Sequence, residues 1–299
     1  MTVSGMRFAT YNIQYGFGLD GAYDLGRIAD AVADADIICM QEVTTHWQAC
    51  RGDHQPDVLA GLLNRYAVYG PGYELDSSSE DASGKVANLR RGFGNLVLSR
   101  WPIVYSRMHS LPRPVDADVP DRKTDFPRCA LEAVIDVPDA PLRVVSVHLS
   151  HQSRIQRLSQ VAVLRSLMLE LPAESPLWKL SRPEVDPWSE GRPVPPVNVP
   201  TLIAGDFNFQ PGDPEYDAML DSRAGLPVAD AWTACDIPGK RVKTCVESDG
   251  SRSVLDYVFT TPGLAPAITG ASVRNQFEGS DHFPLVVDFK FDRVEYTAS

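Results

Sequence analysis

Cysteine is scarce and unpaired in this sequence: Cys39, Cys50, Cys129, Cys235 and Cys245 make five, an odd number with no CxxC spacing. That pattern excludes a disulfide framework and leaves Cys39 and Cys129, inside strand-like runs, as small buried thiols. No apolar run approaches the roughly 20 residues of a membrane helix. Residues 1–10 lack the charged start and continuous apolar core of a signal peptide. A reduced, cytoplasmic protein is expected. An excess of positive charge is missing too, since 28 basic residues against 39 acidic ones leave a net charge of −11. Proteins that grip long duplexes carry a basic stripe. Here Lys and Arg are scattered, with small local groups at Lys85/Arg90/Arg91 and Arg122/Lys123/Arg128. Internal repeats are absent, and no domain boundary is visible, so one domain over residues 1–299 is expected.

What is present is enough apolar material for a substantial core, 43% of the residues. Met6 to Ile13 alternates as a half-buried strand, and Asp24 to Ala33 carries Leu25, Ile28, Ala29 and Val32 at helical spacing. Strands are predicted over Ile37–Gln41, Phe93–Ser99, Ile103–Met108, Cys129–Val137 and Arg143–Leu149, with helices over Pro56–Asn64 and Gln152–Leu171. Gly70–Gly92, rich in Gly, Ser and Asp, reads as a loop. Pro172–Pro200 holds eight prolines plus Trp178 and Trp188 without periodicity. Such density prevents helix and central strand, and a loop that long is expected to be a substrate lid. Strands with few intervening helices point to an α/β protein with mixed or antiparallel sheets.

The chemistry sits where apolar runs end. Thr201–Ala204 leads into Gly205-Asp206-Phe207-Asn208, and Asp256 lies within the run Ser253–Thr260. Gly279-Ser280-Asp281-His282 precedes a run restarting at Phe283. Residues two apart in a strand face the same way, which would aim Asp206 and Asn208 at one point. Asn12 ends the first strand and Glu42 follows Ile37–Gln41. Carboxylates, amides and imidazoles gathered at strand ends suit metal-assisted phosphoryl transfer.

Arrayed in order, YNI at Tyr11–Ile13, QEV at Gln41–Val43, GNLVLSR from Gly94, VHLSH ending at His151, GDFN at Gly205–Asn208, LDY at Leu255–Tyr257 and SDH at Ser280–His282 resemble the endonuclease/exonuclease/phosphatase superfamily. The resemblance covers Arg7 to Phe289. It implies a four-layer α/β/β/α sandwich of two packed mixed sheets flanked by helices. It also implies a Mg²⁺- or Mn²⁺-dependent phosphoester hydrolase with Glu42 and Asp281 as metal ligands and Asn12 supporting them. Asp256 would hold His282 as a charged or proton-accepting ring. His148 would protonate the leaving oxygen, Asp206 would orient or deprotonate the attacking water, and Asn208 would bind the transition-state oxyanion. Either Asp206 or His282 serves as general base on this reading. Asn95 and Arg128 would assist on the phosphate side. The acidic balance favours a small or lipid-derived phosphodiester as partner over nucleic acid. A nuclease, a phosphomonoesterase and an inactive binding module are the alternatives.

Overall fold

The structure, a computed structural model, describes residues 5–119, 125–138, 141–170, 199–224, 227–235 and 241–291. Two sheets of six strands each dominate the described residues. The first contains β1 (Met6–Asn12), β2 (Ile37–Thr45), β3 (Tyr66–Asp76) and β4 (Arg90–Ser99). The second contains β5 (Ile103–Ser110), β6 (Cys129–Ile135), β7 (Leu142–His148), β8 (Thr201–Asp206), β9 (Ala229–Asp230) and β10 (Asp256–Thr260). The chain then returns to the first sheet as β11 (Ile268–Val273) and β12 (Leu285–Phe289). Strand order is β11-β12-β1-β2-β4-β3 in one sheet and β9-β10-β8-β7-β6-β5 in the other. Both are mixed, with β1 parallel to β2 and β7 parallel to β8.

Alternation along the strands builds the layers. Phe8, Cys39 and Val97 of the first sheet share one apolar cluster with Leu131, Val144 and Leu202 of the second. Their neighbours Ala9, Ile38 and Leu98 face outward onto Leu25 and Ile28 of α1 (Leu25–Asp30) and Leu59 of α2 (Gln55–Leu63). On the far side, Val145 and Ile203 pack against Val161 and Leu164 of α3 (Arg154–Glu170) and Met219 of α4 (Pro214–Leu220). Three apolar seams between four layers give the expected α/β/β/α sandwich.

Two regions differ from the sequence reading. Most of Gly70–Gly92 is strand: Tyr73 pairs with Phe93 and Asp76 with Arg90. Only the tip between them leaves this ladder, with Ser79–Glu80 and Val86–Ala87 forming a two-stranded pair of their own. The glycines that read as loop permit close approach; a Cβ on Gly72 would lie 2.7 Å from the Pro127 carbonyl oxygen. The run Ser253–Thr260 is split. Its sheet portion starts at Asp256, while Arg252–Ser253 pairs with Cys245–Val246 in a separate hairpin. The lid expected at Pro172–Pro200, with Trp178 and Trp188, lies outside the described residues apart from its last two positions. Among the described residues no helix is long and apolar enough to cross a membrane.

Candidate active site

One rung of the second sheet carries three of the expected groups. Asp206 pairs with His148 on the parallel side and with Asp256 on the antiparallel side, so adjacent strands deliver them side by side. The junction depends on Gly205, whose φ is 151° and whose Cβ, if present, would lie 1.9 Å from the Val147 carbonyl oxygen. His282 enters from the loop before β12. Ser280 fixes that loop by donating its hydroxyl to Asn12 O at 2.8 Å and accepting from His282 N at 3.2 Å. The Cys245–Val246 strand fixes its other side, with Val246 N donating to Asp281 O at 2.8 Å.

The Asp256 Oδ2 to His282 Nδ1 distance is 2.9 Å, and Asp256 is fully buried. Burial pulls the imidazole toward neutrality, but Asp256 and then Asp206 outweigh it and hold the ring well above its ordinary pKa. His282 Nε2 faces Asp206 Oδ2 at 3.7 Å, and His148 Nε2 faces the same oxygen at 3.4 Å. Burial, opposed by the His282 charge and assisted by Asp256, pushes the Asp206 carboxyl up to about 7. A carboxyl poised near neutral pH beside a charged ring suits proton abstraction.

His148 departs from expectation. It is buried with Arg128 Nη1 at 2.9 Å from Nδ1 and 3.1 Å from Nε2. Burial, then the guanidinium charge, drives its pKa well below the ordinary value. A ring held neutral beside a cation is a poor store for the proton that a leaving oxygen needs.

Glu42 and Asp281 occupy the other side of the cleft. Glu42 has φ 59° and lies within a bulge where the β2–β4 register shifts between Met40 and Val43. Strained backbone clusters here: Gln14 (φ 43°), Tyr15 (φ 57°) and Asn208 (φ 54°) share the same left-handed region. Burial raises both the Glu42 and Asp281 carboxyls, and the Asp281 charge adds to the rise at Glu42. Two crowded hard-oxygen donors suit a Mg²⁺-type ion, which needs one or two carboxylates and keeps several waters. Among the described residues no three His, Cys, Asp or Glu side chains form a ready cage. Such a donor set does not require one. Asn12 sits between the two sides, donating from Nδ2 to Asp206 Oδ2 at 3.0 Å while its Oδ1 accepts from Gln14 N at 3.1 Å. Gln14 also donates from Nε2 to Asp281 Oδ2 at 2.8 Å. Sequence reasoning passed over Gln14 and Tyr15; their place directly after YNI is the only signal that could have marked them.

These groups open into a cleft of about 320 Å³, lined by Glu42, Arg128, His148, Asp206, Asn208, Asp281 and His282 together with His151 and Glu247. Asn208 reaches it through a turn and not by strand alternation, because the ladder ends at Asp206. Its backbone N–H donates to Asp206 Oδ1 at 3.0 Å and its Nδ2 to Leu149 O at 3.1 Å, which leaves one amide hydrogen for a ligand. Asn95 does not reach the cleft. Its Nδ2 donates to Cys129 O at 2.9 Å and Ser146 O at 3.1 Å, tying the two sheets together beneath the site. Gln41 adds a second tie through Ser146 Oγ at 3.1 Å.

The pattern of the endonuclease/exonuclease/phosphatase family matches residues 9–282, and the chain belongs to that family. Its members are phosphoester hydrolases, typically dependent on a divalent metal. Solved structures share the fold. An endonuclease/exonuclease/phosphatase from Beutenbergia cavernae DSM 12333 superposes with a TM-score of 0.64 at 21% identity, over 96% of this chain and 72% of that one. The mannosyl-6-phosphatase of Bacteroides thetaiotaomicron VPI-5482 gives 0.62 at 20% identity, over 94% and 98%. Truncated Caenorhabditis elegans TDP2 gives 0.60 at 16% identity, over 96% and 95%. No match was found among curated proteins.

Proposed function

We propose that residues 1–299 form one catalytic domain, a cytoplasmic Mg²⁺- or Mn²⁺-dependent phosphodiesterase acting on a small or lipid-derived phosphodiester. The observation that carries this reading is the charge of the cleft. Among the described residues, Glu42, Asp206, Glu247 and Asp281 line it against one guanidinium, that of Arg128, and the imidazoles of His148, His151 and His282. A phosphomonoester dianion would meet too few cations there, and the net charge of −11 works against a long nucleic acid.

Glu42 and Asp281 would hold the metal. Its chemistry, when bound, is to polarise a phosphoryl oxygen and to neutralise charge that develops on it. Asn12 and Gln14 keep the carboxylates of Asp206 and Asp281 aimed. Asp206 orients the attacking water and takes its proton, since His282 already carries one. His282, kept charged by Asp256, and Arg128 face the non-bridging oxygens. His148 donates a hydrogen bond to an ester oxygen, a narrower role than the acid expected from the sequence. Asn208 gives its free amide hydrogen to the same developing charge. Asn95 acts only by tying the sheets.

A substrate panel tests this reading. With Mg²⁺, bis-p-nitrophenyl phosphate should be cleaved, while p-nitrophenyl phosphate, plasmid and abasic duplex should be cut at least tenfold more slowly. Faster cleavage of the monoester or either DNA would overturn the phosphodiesterase assignment, and sphingomyelin cleavage would select the lipid branch.

A further inference from the structure

A second cavity, of about 250 Å³, lies against the cleft and is walled by Tyr15, Phe17, Trp47, Tyr73, Phe93 and Phe126. Tyr15, Phe93 and Phe126 line both spaces, so the two share a wall of three rings. The wall is built to hold its shape. Tyr15 and Phe93 have ring centroids 5.7 Å apart, and Tyr73 stacks on Phe126 at 5.6 Å and 25°. Trp47 is fixed by its indole N–H, which donates to Gly92 O at 2.8 Å, and the Arg91 guanidinium covers its ring at 5.0 Å. Gln55 is fully buried and holds the strained Tyr15 backbone through Nε2 to Tyr15 O at 2.6 Å.

Tyr15 connects this pocket to the chemistry. It is 37% exposed and lines both the pocket and the cleft that holds Glu42 at the expected metal position. An apolar cavity of roughly 150 Å³ already admits benzene, so the present one has room for one ring or two fused rings. Stacked and edge-to-face partners each favour an aromatic over an alkyl occupant by roughly 2- to 10-fold.

We propose that this pocket receives a planar aromatic group esterified to the phosphate bound in the adjoining cleft, so that the enzyme's substrates are phosphodiesters carrying an aryl ring or nucleobase. The inference rests on the phosphodiesterase reading and selects the small-substrate branch over an acyl-chain lipid.

The test measures binding of 2-naphthyl methylphosphonate and hexyl methylphosphonate, monoanions of equal charge, by calorimetry with Mg²⁺. Hydrolysis of bis(2,2,2-trifluoroethyl) phosphate, a diester without a ring, is followed in parallel by fluorine NMR. The naphthyl ligand should bind wild type at least tenfold tighter than the hexyl ligand. Ala49→Trp, which fills the pocket from its exposed rim, should remove that preference and leave trifluoroethyl diester hydrolysis and the thermal midpoint unchanged. Trp47→Ala should reduce the preference at least threefold. Equal binding of the two ligands, or tighter hexyl binding, overturns the aromatic subsite while hydrolysis of the ringless diester sustains the phosphodiesterase. A naphthyl preference that Ala49→Trp removes, with no diester cleaved, supports the pocket and defeats the activity.

Discussion

Replacing Asp256 by Asn keeps the shape of the side chain and removes the charge that makes His282 an imidazolium. In the structure Asp256 is fully buried, its Oδ2 lies 2.9 Å from the ring, and among the described residues its Oδ1 has no hydrogen-bond partner. The carboxylate is therefore directed at the ring alone. A hydrogen bond to a charged group is worth about 1.5–3 kcal/mol, which corresponds to a loss in kcat of about 10- to 150-fold. His282→Ala should cost a similar amount, and the double mutant should lose little more than either single, because each disables the same unit. Initial rates on bis-p-nitrophenyl phosphate at saturating Mg²⁺ provide the cycle. The pH profile gives a second readout with a definite sign. Asp256 raises both the His282 and Asp206 pKa values. Discharging His282 in Asp256→Asn removes a charge that lowers Asp206 more than Asp256 raises it, so the acid limb set by Asp206, near pH 7 in the wild type, should move to higher pH. A double mutant whose loss equals the product of the single losses would refute the coupling.

Gly205→Ala should destabilise the protein by about 3 kcal/mol or more in urea, because the new Cβ would meet the Val147 carbonyl at 1.9 Å; a change under about 1 kcal/mol would contradict the close-approach argument. Arg128→Met should raise the His148 pKa as followed by NMR, since the guanidinium is the second cause, after burial, of its depression. Asp34, held down to about 2 from 3.8 by Arg274 and Arg7 against burial, stabilises the fold in full above pH 3.8 and loses that contribution as pH falls toward 2. Its carboxylate is 48% exposed, so screening limits the gain to about 0.5–1 kcal/mol. The stability gap between wild type and Asp34→Asn should accordingly close between pH 4 and pH 2, and a gap that stays constant would remove Asp34 from the account.

The parts of this molecule legible in the sequence are those written in local periodicity. The strand starting at Met6 alternates, those starting at Ile37 and Thr201 are short continuous apolar runs, and α3 carries one apolar stripe, so each is visible. Most of the family motifs likewise mark strand ends, while QEV places Glu42 on a bulge inside β2, and the structure brings Glu42, Asp206, Asp256, Asp281 and His282 together around one cleft. Other features depend on partners far away in the chain. Gly70 and Gly72 resemble loop residues until their strand is placed against its neighbours. Asn95 looked like a phosphate contact, but its amide is taken by the carbonyls of Cys129 and Ser146. The electrostatics of His148 are set by its burial and then by Arg128, and the aromatic pocket collects rings between positions 15 and 126 that share no motif. The left-handed backbone at Tyr15 and Glu42 carries no glycine to announce it.

Metal dependence tests the central claim most directly. Hydrolysis of bis-p-nitrophenyl phosphate should disappear in EDTA and return with excess Mg²⁺ or Mn²⁺, and Glu42→Ala should require a higher metal concentration for half-maximal recovery. Full activity in EDTA would contradict the account, because two half-buried carboxylates would then face an anionic substrate with nothing between them.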